Sequence, residues 1–217
     1  MLSELHGESE DAGLLPLRSH DQILSDLKEG HNRFLSGHSI HPHANQDHLE
    51  ELESGQHPEV AILSCSDSRV PVELLFDSGF GDIFVIRNAG NACTPATVAS
   101  FEYAVKALKV RLLLVMGHEN CGAVSTACGA RQGLTPNLLE LVSDIRDGLM
   151  DYGVTDDVVR ACHLHPRITA QCLLRESALL RDSVSSGAVQ LHTACYVLDG
   201  GTIDWQGAVE PDTAAAH

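Results

Sequence analysis

The fold is decided by VAILSCSDSRVPVELLF (residues 60–76), GDIFVIRNAGN (81–91) and, one helical segment later, VRLLLVMGHENCG (110–122). Val60–Leu63, Ile83–Ile86 and Val110–Met116 are short apolar runs, too brief for helices and characteristic of strands buried on both faces. Between them lie helical segments. Val70–Phe76 is opened by Pro71, and Pro95–Leu108 has Thr94 placed to cap it and Pro95 in its first turn. This alternation predicts a parallel sheet with crossover helices.

Working outward, Gly117 marks the end of the third strand and a helix runs over Cys121–Ala130. Pro136–Met150 and Val158–Leu180 supply further helix. Ala188–Leu198 and Gly201–Trp205 read as an antiparallel edge hairpin turned at Asp199-Gly200-Gly201. Upstream, Ile23, Leu24, Leu27, Phe34 and Leu35 recur at helical spacing with Gly30 interrupting them, so one or two short helices are expected. Residues 36–58 form a polar connector rich in His, Gly and Pro, with a short helix around Leu49–Leu52. Residues 1–19 carry Glu4, Glu8, Glu10 and Asp11 without an apolar period and read as an acidic flexible arm. The prediction is an α/β chain: a mainly parallel sheet flanked by helices, with an N-terminal helical arm and an antiparallel C-terminal edge hairpin. Residues 20–217 form a single domain.

Fourteen Lys and Arg against 30 Asp and Glu give a net charge of −16, which repels nucleic-acid phosphates and anionic membranes. A small-molecule substrate is favoured over either partner. The N-terminal residues lack the basic region and apolar run of a secretory signal. No apolar stretch is long enough to span a bilayer, so a cytoplasmic protein is expected. Seven cysteines, an odd number and widely spread, argue for reduced thiols or metal ligands rather than a disulfide framework.

Cys65, Asp67 and Arg69 alternate where the first strand ends, so an extended backbone sends all three side chains to one side. His118 and Cys121 stand where the third strand passes into a helix. Both segments lie at the carboxyl ends of neighbouring parallel strands, where open α/β sheets build their sites. Two thiolates and one imidazole suit zinc, and three protein ligands leave a fourth position for water. A helix N-terminus at Cys121 favours its thiolate. Spacing alone leaves this reading beside another, in which the two cysteines are core residues and His118 is unpartnered. Cys162-His163-Leu164-His165 offers a rival ligand set without a partner segment. Cys93, Cys172 and Cys195 read as packing residues, and the connector histidines (His38, His41, His43, His48) as solvated surface.

Cys65-Ser66-Asp67-Ser68-Arg69-Val70-Pro71, then Gly81 to Asn91, then Gly117-His118 to Cys121-Gly122, in this order, resemble the β-class carbonic anhydrases. The resemblance covers about residues 20 to 206. It implies one zinc ion per subunit on Cys65, His118 and Cys121, with Asp67 and Arg69 as the catalytic dyad. Gln56, Val70, Phe84, Tyr103 and Gly122 match positions around the substrate pocket, Phe84 and Tyr103 partly across a subunit boundary. Gly122 also suits a tight strand-to-helix turn. A homodimer, often paired into a tetramer, is implied as well.

The implied reaction is reversible hydration of carbon dioxide to bicarbonate and a proton. Zinc lowers the pKa of bound water towards ~7, and ionised Asp67, an acceptor only, takes the proton of the resulting hydroxide in a hydrogen bond and aims it at carbon. Arg69 keeps Asp67 ionised. Two thiolates offset the metal charge, so activity should rise with pH. Members of the family with a bicarbonate-regulated closed form carry Trp three residues before the first Cys. Here Ile62 stands there, although Arg87 and Tyr196 match the pattern's other residues, so an open form with Asp67 off the metal is expected. The same ligands also suit hydrolysis of carbonyl sulfide or carbon disulfide. A non-catalytic zinc-bound interaction or redox protein is disfavoured by the intact Asp67 and Arg69.

Overall fold

The computed structural model describes residues 18–212, so the predicted acidic arm, apart from its last two residues, lies outside the described part. The elements are α1 (His20–Leu35), α2 (Gln46–Glu51), β1 (Val60–Cys65), α3 (Val72–Leu75), β2 (Ile83–Asn88), α4 (Pro95–Lys106), β3 (Leu112–His118), α5 (Gly122–Cys128), α6 (Pro136–Asp151), α7 (Val158–Glu176), α8 (Ala178–Ser185), β4 (Gln190–Tyr196) and β5 (Ile203–Ala208). The sheet order is β2-β1-β3-β4-β5. All neighbours run parallel except β4 and β5, which form the antiparallel edge. No described helix is long and apolar enough to cross a membrane.

Strands β1 and β3 are buried at every position, because helices cover both faces. Ala61, Leu63, Leu113 and Val115 point to one side and meet Phe101 and Ala104 of α4 with Leu173 and Leu174 of α7. Val60, Ile62, Leu112, Leu114 and Met116 point to the other and meet Ile23 and Leu27 of α1, Leu75 and Phe76. Period-two alternation thus divides one continuous apolar strand between two cores. Each fully buried Leu contributes ~1.5–3 kcal/mol of transfer free energy.

Two glycines read as breaks in the sequence are instead points of close approach. α1 is one unbroken helix opened by a capping box between Ser19 and Gln22, and a Cβ on Gly30 would lie 2.0 Å from the Phe76 carbonyl oxygen. Gly30 therefore lets α1 settle against the end of α3. Strand β3 likewise continues through Gly117 to His118, where a Cβ on Gly117 would meet Pro166 of α7 at 2.6 Å. Pro166 interrupts the hydrogen bonding of α7 and frees the Cys162 carbonyl, which accepts a long bond of 3.8 Å from the Cys195 thiol.

Asp77 anchors the N-terminal helix and connector. Its side chain has no accessible surface and lies 2.5 Å from the Arg33 Nε. It also accepts the amides of Ile40 at 3.1 Å and His41 at 3.0 Å. Burial pushes this carboxyl up, but Arg33 and the two amides outweigh it and hold it below the usual range.

Candidate metal centre

The parallel register aligns Cys65 with Asn88 and Ser64 with Met116, so β3 carries His118 just past the level of Cys65. The turn into α5 then folds Cys121 back towards both. Its left-handed residue is Asn120, at φ 53°, a conformation that Asn tolerates better than most residues. Gly122 has no positive φ and so is not the residue that the turn demands. It is exposed, and a Cβ there would meet nothing within 4 Å.

Cys65, His118 and Cys121 are buried, and their donor atoms all lie within 4.8 Å of one another. The sulfurs are 4.0 Å apart, close to the ~3.8 Å that tetrahedral zinc with ~2.3 Å Zn–S bonds would set. The His118 Nδ1–H donates to the Glu119 carbonyl at 2.8 Å, which leaves Nε2 with the lone pair. That nitrogen is buried with no hydrogen-bond partner among the described residues, a costly state unless a cation takes the lone pair. The donor set and its geometry fit zinc.

Protons report the same arrangement. The Cys121 thiol donates to Cys65 and, with help from His118, draws Cys65 towards thiolate, while that bond and burial push Cys121 up. The backbone amides of Ala123 and Val124 at the start of α5 do pull Cys121 down, in the direction the sequence suggested, but they do not by themselves outweigh the bond to Cys65 and burial. A second thiolate needs the metal.

Asp67 stands at the rim. Arg69 grips it in a two-point fork, Nε to Oδ1 at 2.9 Å and Nη2 to Oδ2 at 2.7 Å, and the Arg69 amide adds 2.9 Å to Oδ1. The fork holds the Asp67 carboxyl well below the usual carboxylate range. Its Oδ2 lies 3.9 Å from the His118 Nε2.

Supporting contacts come from residues that motif spacing did not single out as positioning groups. Arg87 donates from Nε and Nη2 to the Cys65 carbonyl at 3.1 and 2.9 Å, and from Nη2 to the Asp67 carbonyl at 2.8 Å, fixing the backbone on which ligand and dyad sit. Gly90, at φ 73°, gives its amide to the Cys65 sulfur at 3.3 Å. The carbonyl of Gly90 in turn accepts from His165 Nε2 at 2.7 Å. Arg87 and Gly90 lie in the long Gly81–Asn91 motif, Arg87 having been noted only as part of a regulatory pattern, and His165 had appeared only in the rival Cys162–His165 set.

The remaining candidates are dispersed. Val70 has no accessible surface and packs in the α1-side core, so it supports the loop from beneath rather than lining an open pocket. Gln56 is exposed in the loop before β1. Phe84 pairs with Ala61, four residues before Cys65 and so ~13 Å down the strand. Its ring lies 6.0 Å from that of Tyr103, which is 52% exposed at the β2 edge. Within one chain this aromatic pair does not reach the metal centre. The rival Cys162–His165 set does not converge either: His163 faces Glu119 and Asp204, whereas His165 faces Gly90.

A mainly parallel sheet that gathers two thiols and an imidazole at its strand ends, beside an arginine-held carboxylate, has the architecture of an α/β metalloenzyme. The family model described as "Carbonic anhydrase" matches residues 60–203. Carbonic anhydrase 2 of Mycobacterium tuberculosis is 37% identical over 186 residues, covering 81% of this chain and 87% of the relative. A β-carbonic anhydrase of Aspergillus fumigatus superposes with a TM-score of 0.68 at 26% identity, over 88% of this chain and 92% of the other. One of two tetrameric β-carbonic anhydrases from Sordaria macrospora gives 0.66 at 26% identity, over 86% and 98%. The chain belongs to the β-class carbonic anhydrase family, the carbonate dehydratases.

Proposed function

We propose that this chain reversibly hydrates carbon dioxide to bicarbonate and a proton, with one zinc ion per subunit held by Cys65, His118 and Cys121. The observation that carries the reading is the convergence of three buried donors, one an unpartnered imidazole nitrogen, beside a carboxylate already claimed by Arg69. Zinc in such a site lowers the pKa of bound water from 15.7 towards ~7 and so supplies a nucleophile near neutrality.

This chain's own residues aim that nucleophile. Asp67, kept ionised by Arg69, only accepts hydrogen bonds, so it orients the attacking oxygen by its remaining proton and leaves a lone pair for carbon. Because Arg69 occupies both carboxylate oxygens, Asp67 rests off the metal in the open form. Arg87 prevents the loop bearing both groups from drifting. Gly122 leaves room where the substrate must approach. Two thiolates offset the metal charge, so the rate should rise with pH.

Phe84 and Tyr103 wall the pocket of a neighbouring subunit in this reading, which accounts for a half-exposed aromatic pair at a sheet edge. A dimer, or a tetramer built from two, follows. Light scattering should find no active monomer.

Metal dependence tests the whole reading. Dialysis against a chelator should abolish carbon dioxide hydration and added zinc should restore it. Activity that survives complete metal removal would refute the proposal.

A further inference from the structure

A cavity of about 610 Å³ lies between α4, α6 and α7, large enough for a small organic molecule. None of Cys65, Asp67, Arg69, His118 and Cys121 lines it. On α7 its wall is formed by His165, Ile168, Thr169, Cys172 and Glu176, which recur at helical spacing and so share one face. Two of these carry polar atoms that nothing satisfies. His165 is 4% exposed and Thr169 2%, and His165 Nδ1 and Thr169 Oγ1 are buried without a hydrogen-bond partner among the described residues. Such atoms are costly to leave unpaired.

Both atoms call for a donor. His165 gives its Nε2–H to the Gly90 carbonyl at 2.7 Å, so in the neutral ring that burial favours, Nδ1 carries a lone pair. A buried helical threonine ordinarily turns its hydroxyl onto the carbonyl one turn back. Thr169 does not, so its oxygen is also free to accept. Residues four apart stand ~5–6 Å from each other on a helix surface, a gap that one ammonium group can bridge.

The charge around the cavity points the same way. Glu102, Asp144, Asp147, Asp151 and Glu176 line it against a single guanidinium, Arg175. The Ser177 hydroxyl already donates to Glu102 at 2.6 Å. The other four carboxylates are exposed at the mouth, and no salt bridge among the described residues uses them. They do not gather as metal ligands do. Among the described residues, only Cys65, His118 and Cys121 bring three His, Cys, Asp or Glu donors within 4.8 Å of one another. Acid charge spread along a mouth, above a buried wall that accepts hydrogen bonds, suits an organic cation with several N–H groups rather than a metal ion.

We propose that this cavity binds a linear aliphatic diamine, one ammonium group donating to His165 Nδ1 and Thr169 Oγ1 and the other lying among Asp144, Asp147 and Asp151. The site is separate from the metal centre, so the claim does not rest on the proposed reaction. Isothermal titration calorimetry of the zinc-loaded protein with putrescine, in low-salt buffer, tests it. One molecule should bind per chain, with an affinity that falls as salt is raised. Thr169→Val, which keeps the shape and removes the hydroxyl, should weaken binding about tenfold. Asp144→Asn combined with Asp147→Asn should weaken it by a similar factor, and because both positions are exposed this variant carries the test even where Thr169→Val fails to fold. No binding at millimolar putrescine would overturn the proposal, and so would equal affinity in wild type and the folded variants, which places the diamine elsewhere. Magnesium chloride that binds more tightly than putrescine and responds to the same substitutions would overturn the choice of an organic cation.

Discussion

Asp67 and Asp77 each accept an arginine and backbone amides, yet they sit in different surroundings. Asp77 has no accessible surface, and its acceptor capacity is taken by Arg33, Ile40 and His41. Asp67 keeps 18% of its side chain open and presents Oδ2 3.9 Å from an imidazole nitrogen that nothing among the described residues satisfies. The first carboxylate is saturated by its own fold and acts as an anchor. The second is oriented but not used up, which is the condition for acting on something the chain does not contain. An arginine beside an aspartate therefore says little until the unfilled valences around it are counted.

The contrast can be broken most forcefully at the anchor. Asp77→Ala should destabilise the fold by ~1–3 kcal/mol, since it removes the buried acceptor that ties Arg33 and the amides of Ile40 and His41 together, while activity per folded molecule stays near wild type. Denaturant unfolding and active-site-normalised rates check this. Arg69→Ala should do the opposite, lowering the hydration rate by about a hundredfold, in the range of general acid–base groups. Its unfolding midpoint should hardly move, because a solvent-exposed arginine pair adds little to stability. A smaller effect is expected behind the metal. His165→Leu leaves the Gly90 carbonyl unpaired at a cost of ~1–3 kcal/mol and should weaken zinc retention, and His165→Gln, which keeps a donor, should recover most of it. Chelator competition reads both variants. The mildest test is acid. The depressed pKa of Asp77 means that its stabilisation is present above the unfolded value of ~3.9 and is lost as pH falls through the folded one. Thermal melting of Asp77→Asn should accordingly show a difference from wild type that is full above about pH 4 and shrinks as pH falls below it towards the lower folded pKa.

Much of this was legible in the residues. The buried strands β1 and β3 announced themselves as apolar runs, and Thr94-Pro95 marked the start of α4. Cys65, Asp67, Arg69, His118 and Cys121 stood out by their spacing at strand ends, but spacing alone left the metal reading open, and the ligand set and dyad came from the resemblance of the motifs to a known family. What sequence could not supply was distance. Gly30 and Gly117 read as breakers because a glycine needed for close approach looks the same as one needed for a turn, and only the neighbouring Phe76 carbonyl and Pro166 tell them apart. Arg87 and His165 act on backbone carbonyls, which every residue has, so the side-chain patterns that named them pointed to other roles. Val70 was placed at the pocket by its neighbours in the motif, yet its side chain turns the other way into the core.

The central claim is that Asp67 orients a metal-activated nucleophile at the Cys65–His118–Cys121 site. The direct measurement is stopped-flow carbon dioxide hydration across pH on wild type and Asp67→Asn, with zinc content determined on the same samples. Both proteins should hold about one zinc per chain, with the wild-type rate rising with pH and the variant slower by ~10²–10⁴-fold. Equal rates at equal zinc content would contradict the account.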